Sequence, residues 1–161
     1  MDEKTIQLLE KLIYEKIILY NDLLHCLKKE RATLIKIDLD DLWQISKEKE
    51  EICARLSTLR REIVSIIDPE MDPKDYRPSR MLALIPKESR AKFQQSNMRL
   101  INLKMEIEAL RKENMILIDD SLQFLDEMVS VITGDNHSRV IYKSDGHIRK
   151  AGNQMLLSRE V

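Results

Sequence analysis

Glycine, proline and aromatic residues are scarce in this chain. Its 161 residues include three glycines, four prolines and only 4% aromatic residues. Glycine and proline supply most tight turns, and aromatic residues are enriched in strands, so these shortages argue against a sheet protein. Charged residues reach 34% and hydrophobic residues 43%, which is typical of a helical bundle or coiled coil that forms one domain.

Cysteine is rare too, and Cys26 and Cys53 lack the spacing of metal ligands. Without a secretory leader, two such cysteines are expected to be buried, reduced thiols; a Cys26–Cys53 bridge across a hairpin is the alternative. The first residues, MDEKTIQ, are acidic and have no apolar core, so we expect no signal peptide.

Long apolar runs and an excess of either charge are also lacking. No uninterrupted apolar run approaches the roughly 20 residues of a membrane span. The net charge is −1, and mixed charges along the chain are typical of solvated helix faces. The charge balance therefore gives no reason to expect nucleic acid or an anionic membrane as a partner. We expect a cytoplasmic protein without stable membrane insertion.

What the sequence does contain is one long amphipathic stretch, residues 86–133. Its apolar residues recur every three or four positions, or after a full seven, as in a helix that keeps one stripe against a partner. A helix of this length would extend about 70 Å, so it needs other helices, or another chain, alongside it. The seam consists of Phe93, Leu100, Leu103, Ile107, Leu110, Leu117, Phe124, Met128 and Val131.

Three polar residues interrupt this seam: Ser96, Asn114 and Ser121. A single buried Asn in a coiled coil fixes the register of its helices, and a tolerated, partly exposed Asn114 is the alternative interpretation. Pro86 is well placed near the first turn of the helix, and Gly134 suits the position just past its last turn.

Two more helices are predicted before the long one, at about 3–37 and 40–67. The first has an apolar stripe that ends at Leu34 and Ile37, and the second has a stripe that begins at Leu42. The second stripe is shifted by one residue relative to the first, which indicates a turn near Asp38, a good helix-capping residue. We favour an antiparallel hairpin over a continuous bent helix. Polar residues interrupt both stripes, at Lys16, Glu30 and Lys49.

Residues 68–78 hold three prolines and form the predicted linker. A short helical piece is expected at 79–85, and the tail, 134–161, has no helical period but contains scattered apolar residues. Such a tail often becomes ordered only on binding, and a frayed terminus without a role is the alternative. The predicted fold class is all-α: an elongated antiparallel bundle or coiled coil of three main helices over 1–133, with a flexible C-terminal binding tail over 134–161.

The sequence shows no convergent set of catalytic groups, no phosphate-binding glycine loop and no HExxH motif. His137 and His147 lie near Asp135 and Asp145 in the tail, an arrangement that suits a divalent metal. Histidines in loops are more often simply solvated, so we expect no enzyme activity, no metal and no cofactor. A helical protein that binds other proteins is the remaining class.

Four stretches of the chain resemble the FlgN-type flagellar export chaperones of bacteria. They are residues 30–34 (ERATL) before the Asp38–Leu39 turn, residues 46–52 (SKEKEEI), Leu110 and Asn114 with Leu117 and Ile118, and Tyr142 followed by Asp145 and Gly146. The last stretch is similar to the family's Tyr-x-x-Asp-Gly and is the most specific of the four. The resemblance follows nearly the whole chain in order and spacing, apart from the proline-rich linker.

The resemblance implies a cytoplasmic, non-enzymatic chaperone of type III flagellar export. Members of this family hold the hook-associated (hook–filament junction) proteins before secretion and deliver them to the export apparatus. Carried over to this chain, Tyr142 is the residue expected to contact the export gate, and Asp145 and Gly146 are expected to shape the turn that follows it.

An export chaperone needs an apolar surface that a helical, poorly folded end of its cargo can complete. We predict that this surface combines the end of the long helix with the tail. For Phe124 and Met128 the alternative is simple bundle core. The main rival function is a structural coiled-coil scaffold or tether without cargo, which would use the same seams to form a homo-oligomer. The predicted cargo-binding residues are Phe124, Met128, Val131, Ile141, Ile148, Met155, Leu156 and Leu157.

Overall fold

The computed structural model describes residues 2–133 in full and the backbone of two short strands at 140–142 and 148–150. It divides the chain into two compact units, Met1–Asp119 and Asp120–Val161. This division falls within the longest helix, whereas the sequence suggested a boundary between 133 and 134. The α-helices are α1 (Glu3–Lys36), α2 (Leu39–Ile67), α3 (Pro78–Leu84) and α4 (Lys87–Thr133), and the strands are β1 (Val140–Tyr142) and β2 (Ile148–Lys150).

Helices α1 and α2 form the predicted antiparallel hairpin. Helix α1 ends at Lys36 and is capped by Ile37, which adopts a left-handed backbone conformation (φ 55°) and donates its N–H to the carbonyls of Leu34 and Thr33. Asp38 then caps α2, because its side chain accepts a hydrogen bond from the Asp41 N–H at 3.1 Å. The turn near Asp38 is therefore confirmed, and α1 and α2 are separate helices.

The linker between α2 and α4 is more structured than three prolines alone suggest. It contains one 3₁₀ turn, Pro73–Asp75, and the short helix α3, which confirms the helical piece expected at 79–85. Helix α3 starts with Pro78, at a position where the N–H that proline lacks has no partner within the helix. Residues 2–133 thus form four α-helices rather than three main ones. All-α remains the right class for residues 2–133, and the pair β1–β2 was not predicted.

The core of the first unit is formed by all four helices. Helix α1 contributes the most buried residues, and Met81 of α3 is only 2% exposed. The early part of the predicted α4 seam is buried as expected, whereas Ile37, placed on the α1 stripe, is 65% exposed because it belongs to the turn. The main buried apolar residues are Leu9, Leu12, Ile13, Ile17, Leu19, Leu24, Leu27, Leu59, Ile63, Met81, Ile85, Phe93, Leu100, Leu103 and Ile107.

Helix α4 runs parallel to α1 within this unit. Near the start of both helices, Lys92 Nζ lies 2.6 Å from Glu10 Oε2, and further along, Lys28 Nζ lies 3.1 Å from Glu106 Oε1. Closer to the C-terminal end of α1, Arg31 pairs with Glu113 of α4. An up–down–up arrangement of α1, α2 and α4 follows, in which α2 is antiparallel to both neighbours.

The polar interruptions of three different stripes meet inside the first unit. Asn114 is 2% exposed, and its Nδ2 donates to Leu27 O at 3.0 Å and to Glu30 Oε2 at 2.9 Å. The other carboxylate oxygen of Glu30 pairs with Lys49. We call Glu30, Lys49 and Asn114 the polar layer. The interpretation of Asn114 as a tolerated, partly exposed residue is wrong.

Both cysteines are unpaired thiols, but only Cys26 is buried. Its Sγ lies 3.7 Å from Glu48 Oε2. The prediction that Cys53 is also buried is wrong, because the apolar stripe of α2 passes through the half-buried Ile52 next to it and leaves Cys53 on the exposed face.

Candidate partner-binding site

The last part of α4, residues 120–133 in the second unit, is amphipathic with its apolar half exposed. At about 100° per residue, its apolar side chains cover one continuous half of the helix circumference. All of them are large, and each is at least 46% exposed. We call this surface the α4 apolar face; it consists of Leu122, Phe124, Leu125, Met128, Val129, Val131 and Ile132.

Three of the predicted cargo-binding residues belong to the α4 apolar face. Phe124 is 59% exposed, Met128 is 46% exposed and Val131 is 82% exposed. On the same seam, Phe93 is 2% exposed. Phe124 and Met128 are therefore not bundle core, and the alternative interpretation of these two residues is wrong. Single exposed apolar residues are ordinary in proteins, but a contiguous exposed set of this size is typical of an interaction site.

The opposite half of this segment is acidic. Asp120, Asp126 and Glu127 carry three negative charges, and residues 120–133 contain no lysine or arginine. The carboxyl end of a helix dipole adds partial negative charge near Thr133, where α4 ends. Basic residues at the edges of a partner's apolar stripe would therefore favour its binding to the α4 apolar face.

The structure brings two predicted tail residues together by backbone pairing. Strands β1 and β2 are antiparallel, with Tyr142 opposite Ile148 and Ile141 opposite Arg149. The predicted export-gate residue Tyr142 is thus in register with the predicted cargo-binding residue Ile148. The remaining predicted site residues lie outside the described residues: Asp145, Gly146, Met155, Leu156 and Leu157.

A second exposed apolar surface surrounds the α1–α2 turn in the first unit, and sequence reasoning missed it. Ile35, Ile37, Leu39 and Trp43 are between 65% and 72% exposed. Lys47 Nζ lies 5.3 Å from the centre of the Trp43 ring, a cation–π distance. The signal was present in the sequence, since Trp43 is the only tryptophan and lies off the Leu42–Ile45 seam.

Residues 2–133 contain no group of three or more His, Cys, Asp or Glu side chains that could hold a metal ion. The candidate metal residues of the tail, His137 and His147 with Asp135 and Asp145, lie outside the described residues. In the part of the chain that the structure describes, no helix is both long enough and apolar enough to cross a membrane.

Comparison with known proteins identifies the chain's family. A family model described as FlgN protein matches residues 1–150. No curated protein and no solved structure matches the chain. The match includes all four helices, the α4 apolar face and both strands. The chain therefore belongs to the FlgN family, the family of flagellar export chaperones.

Proposed function

We propose that this protein is a cytoplasmic chaperone that binds hook-associated proteins through the α4 apolar face and delivers them to the flagellar type III export apparatus. The observation that carries the proposal is the exposure of seven large apolar side chains on one side of the last part of α4, residues 120–133. Membership of the FlgN family supports a role in export, and the α4 apolar face supplies the surface that such a role requires.

The chemistry of the α4 apolar face suits an amphipathic helix. Anchors spaced three and four residues apart match the ridge that a partner helix offers. The acidic residues on the opposite half favour a partner segment with basic edges. Cargo that folds only on binding uses part of its contact energy for ordering, which lowers the affinity per area and allows release at the export apparatus.

The test is titration calorimetry of the full-length chain against a hook-associated protein from the same bacterium. The variant Phe124→Ser/Met128→Ser removes two anchors, and Met105→Ser is the matched control because Met105 is 67% exposed on α4 outside the face. We expect the double variant to weaken binding by at least about tenfold, since buried apolar anchors dominate such interfaces, and the control to bind like the parent.

Equal weakening by the double variant and by the control would contradict the assignment of the face. A truncation to residues 1–133 separates helix from tail. If Ile141, Ile148 and Met155–Leu157 contact cargo as predicted, the truncated chain binds more weakly than the full-length chain.

Tyr142 is assigned to the export gate by the family resemblance, in a strand paired with β2. The variant Tyr142→Ala is expected to retain cargo binding and to lose binding to the export-gate component. Loss of cargo affinity in this variant would instead place Tyr142 in the cargo surface.

The rival function is a scaffold that uses the same apolar face to form a homo-oligomer. Light scattering coupled to gel filtration distinguishes the two, because self-association through this face should increase with protein concentration and disappear in Phe124→Ser/Met128→Ser. A monomer that forms a defined complex with cargo supports the chaperone; a stable oligomer that binds no cargo supports the scaffold.

A further inference from the structure

A cavity of about 310 Å³ lies in the first unit, among α1, α2, the linker and α4. Four cationic side chains line it, and none of the described residues that line it is Asp or Glu. Two tyrosines, Asn97 and several apolar residues complete the wall. The four cationic residues and the two tyrosines are Lys16, Tyr20, Arg60, Tyr76, Arg77 and Lys104.

Lys16 is the unusual member of this set. It is only 8% exposed, whereas Arg60, Arg77 and Lys104 are exposed around it. Among residues 2–133, no ion pair involves any of these four cations. The Lys16 ammonium instead lies 5.8 Å from the centre of the Tyr76 ring. A buried charge normally has a partner of opposite sign, because desolvation without one is strongly unfavourable.

The surrounding charges make this burial still less favourable. Burial, together with Lys104 and Arg60, lowers the pKa of Lys16 to about 8. Burial and Arg60 also lower the pKa of Lys104, whose Nζ lies 5.5 Å from the centre of the Tyr20 ring. At neutral pH the Lys16 ammonium remains mostly protonated, so the cavity collects positive charge that the described residues do not neutralise.

We propose that this cavity binds a small organic anion that carries a phosphate or several carboxylates, with the Lys16 ammonium as the central contact. Its volume is at the lower end of the roughly 300–1,000 Å³ typical of small-molecule sites. The exposed Arg60 and Arg77 guanidiniums supply planar donors that suit either anionic group. The apolar part of the wall, including Ile13, Leu56 and Phe93, leaves a surface for the organic part of the ligand.

The site is distinct from the α4 apolar face, since all of its residues lie in the first unit. Ligand binding there would link the stability of the α1–α2–α4 core to the concentration of a small anion. Failure of this inference leaves the proposed chaperone function untouched, and the reverse is also true.

The experiment uses the full-length chain with citrate, inorganic phosphate and AMP as probes, at low millimolar concentrations and at matched ionic strength. Isothermal titration calorimetry measures binding to the parent, to Lys16→Met and to the surface control Lys112→Met. We expect at least one probe to bind the parent and the control equally, and to bind Lys16→Met at least about tenfold more weakly. The pattern among the probes distinguishes polycarboxylate from phosphate recognition.

A second measurement reports on Lys16 itself. Titrations at pH 8 in Tris and in HEPES should differ in apparent enthalpy, because a bound anion restores the proton that part of the Lys16 population has lost. Tyr20, Arg60, Tyr76, Arg77 and Lys104 face the same cavity, and Lys104 also has a lowered pKa. The difference should therefore be clearly smaller in Lys16→Met and persist in Lys112→Met.

Two results would overturn the proposal. One is that none of the three probes binds the parent. The other is that Lys16→Met, shown by circular dichroism to be folded, binds a probe as tightly as the parent does.

Discussion

The polar layer leads to a prediction about paired substitutions. Lys49 and Glu30 form an ion pair whose side chains are only 25% and 12% exposed, and Asn114 donates to the same carboxylate from the opposite helix. Changing Lys49 to Met retains the aliphatic stem of the side chain but leaves the Glu30 carboxylate without its cation. We therefore expect Lys49→Met to destabilise the fold, although it makes the interior more apolar.

The magnitude follows from how buried the pair is. Removing one partner of a fully buried ion pair costs about 3–5 kcal/mol, and the residual exposure of Lys49 reduces this to about 2–3 kcal/mol. Glu30→Met should cost a similar amount, because it leaves the Lys49 ammonium without its anion and the Asn114 amide with only the Leu27 carbonyl as acceptor. The triple variant Glu30→Met/Lys49→Met/Asn114→Leu leaves no polar group stranded, so we expect it to lie within about 1 kcal/mol of the parent.

Equilibrium urea unfolding, followed by circular dichroism, measures all of these free energies. The slope of the transition should be the same for each variant, which would show that only stability has changed. If Lys49→Met is as stable as the parent, the carboxylate does not depend on its cation. If the triple variant loses as much free energy of unfolding as the single variants combined, stranded polar groups are not the cause of the destabilisation.

Three further predictions concern side chains of the first unit: Lys16, the two cysteines and Trp43. Because burial lowers the pKa of Lys16 from 10.5 to about 8, the unfolded chain binds more protons than the folded chain between these values. The free energy of unfolding should therefore rise by about 3 kcal/mol in this window relative to Lys16→Met, which a pH series of urea melts would detect or refute. Exposed Cys53 should react with a disulfide reagent much faster than Cys26, whose pKa is raised by burial and by Glu48; equal rates in Cys53→Ser and the parent would contradict this. Trp43→Ala should change stability by no more than about 0.5 kcal/mol, and iodide should quench the Trp43 fluorescence of the parent as in an exposed indole; resistance to quenching would show that the turn surface is covered.

The helices themselves could be predicted closely from the sequence. Predicted helices at 3–37 and 40–67 correspond to Glu3–Lys36 and Leu39–Ile67. Local chemistry is sufficient here, because the shift between two apolar stripes and a capping aspartate together define a turn. The capping role of Asp38 depends on residues only three positions away and needs no tertiary information.

The meeting of the three polar interruptions could not be predicted from periodicity. Periodicity reports which face of a helix is apolar, but it does not report which residues of different helices lie at the same level. Glu30, Lys49 and Asn114 therefore looked like three separate defects. Lys16 is a similar case, since only the fold brings Arg60 and Lys104 to it.

Only part of the candidate site could be predicted, because periodicity does not report which stretch of an apolar stripe is covered by another helix. The predicted seam contained Phe124, Met128 and Val131, which the structure leaves exposed. No sequence pattern shows how far along a seam a partner helix extends, so the sequence did not decide whether these residues are buried or exposed. The turn surface around Trp43 was missed because it belongs to no stripe. Its residues are close only because one chain reverses direction there.

The parallel packing of α1 and α4 has a consequence for the order of folding. Side-chain contacts within the α1–α2 hairpin connect residues 19 to 40 positions apart, from Lys49–Glu30 to Arg55–Glu15. Contacts between α1 and α4 connect residues 78 to 87 positions apart. Closing the longer loop costs more chain entropy, so we expect the α1–α2 hairpin to form first as the chain leaves the ribosome. Glu30 and Lys49 can already pair at that stage, and the arrival of Asn114 marks the point at which the last helix has docked in its correct register.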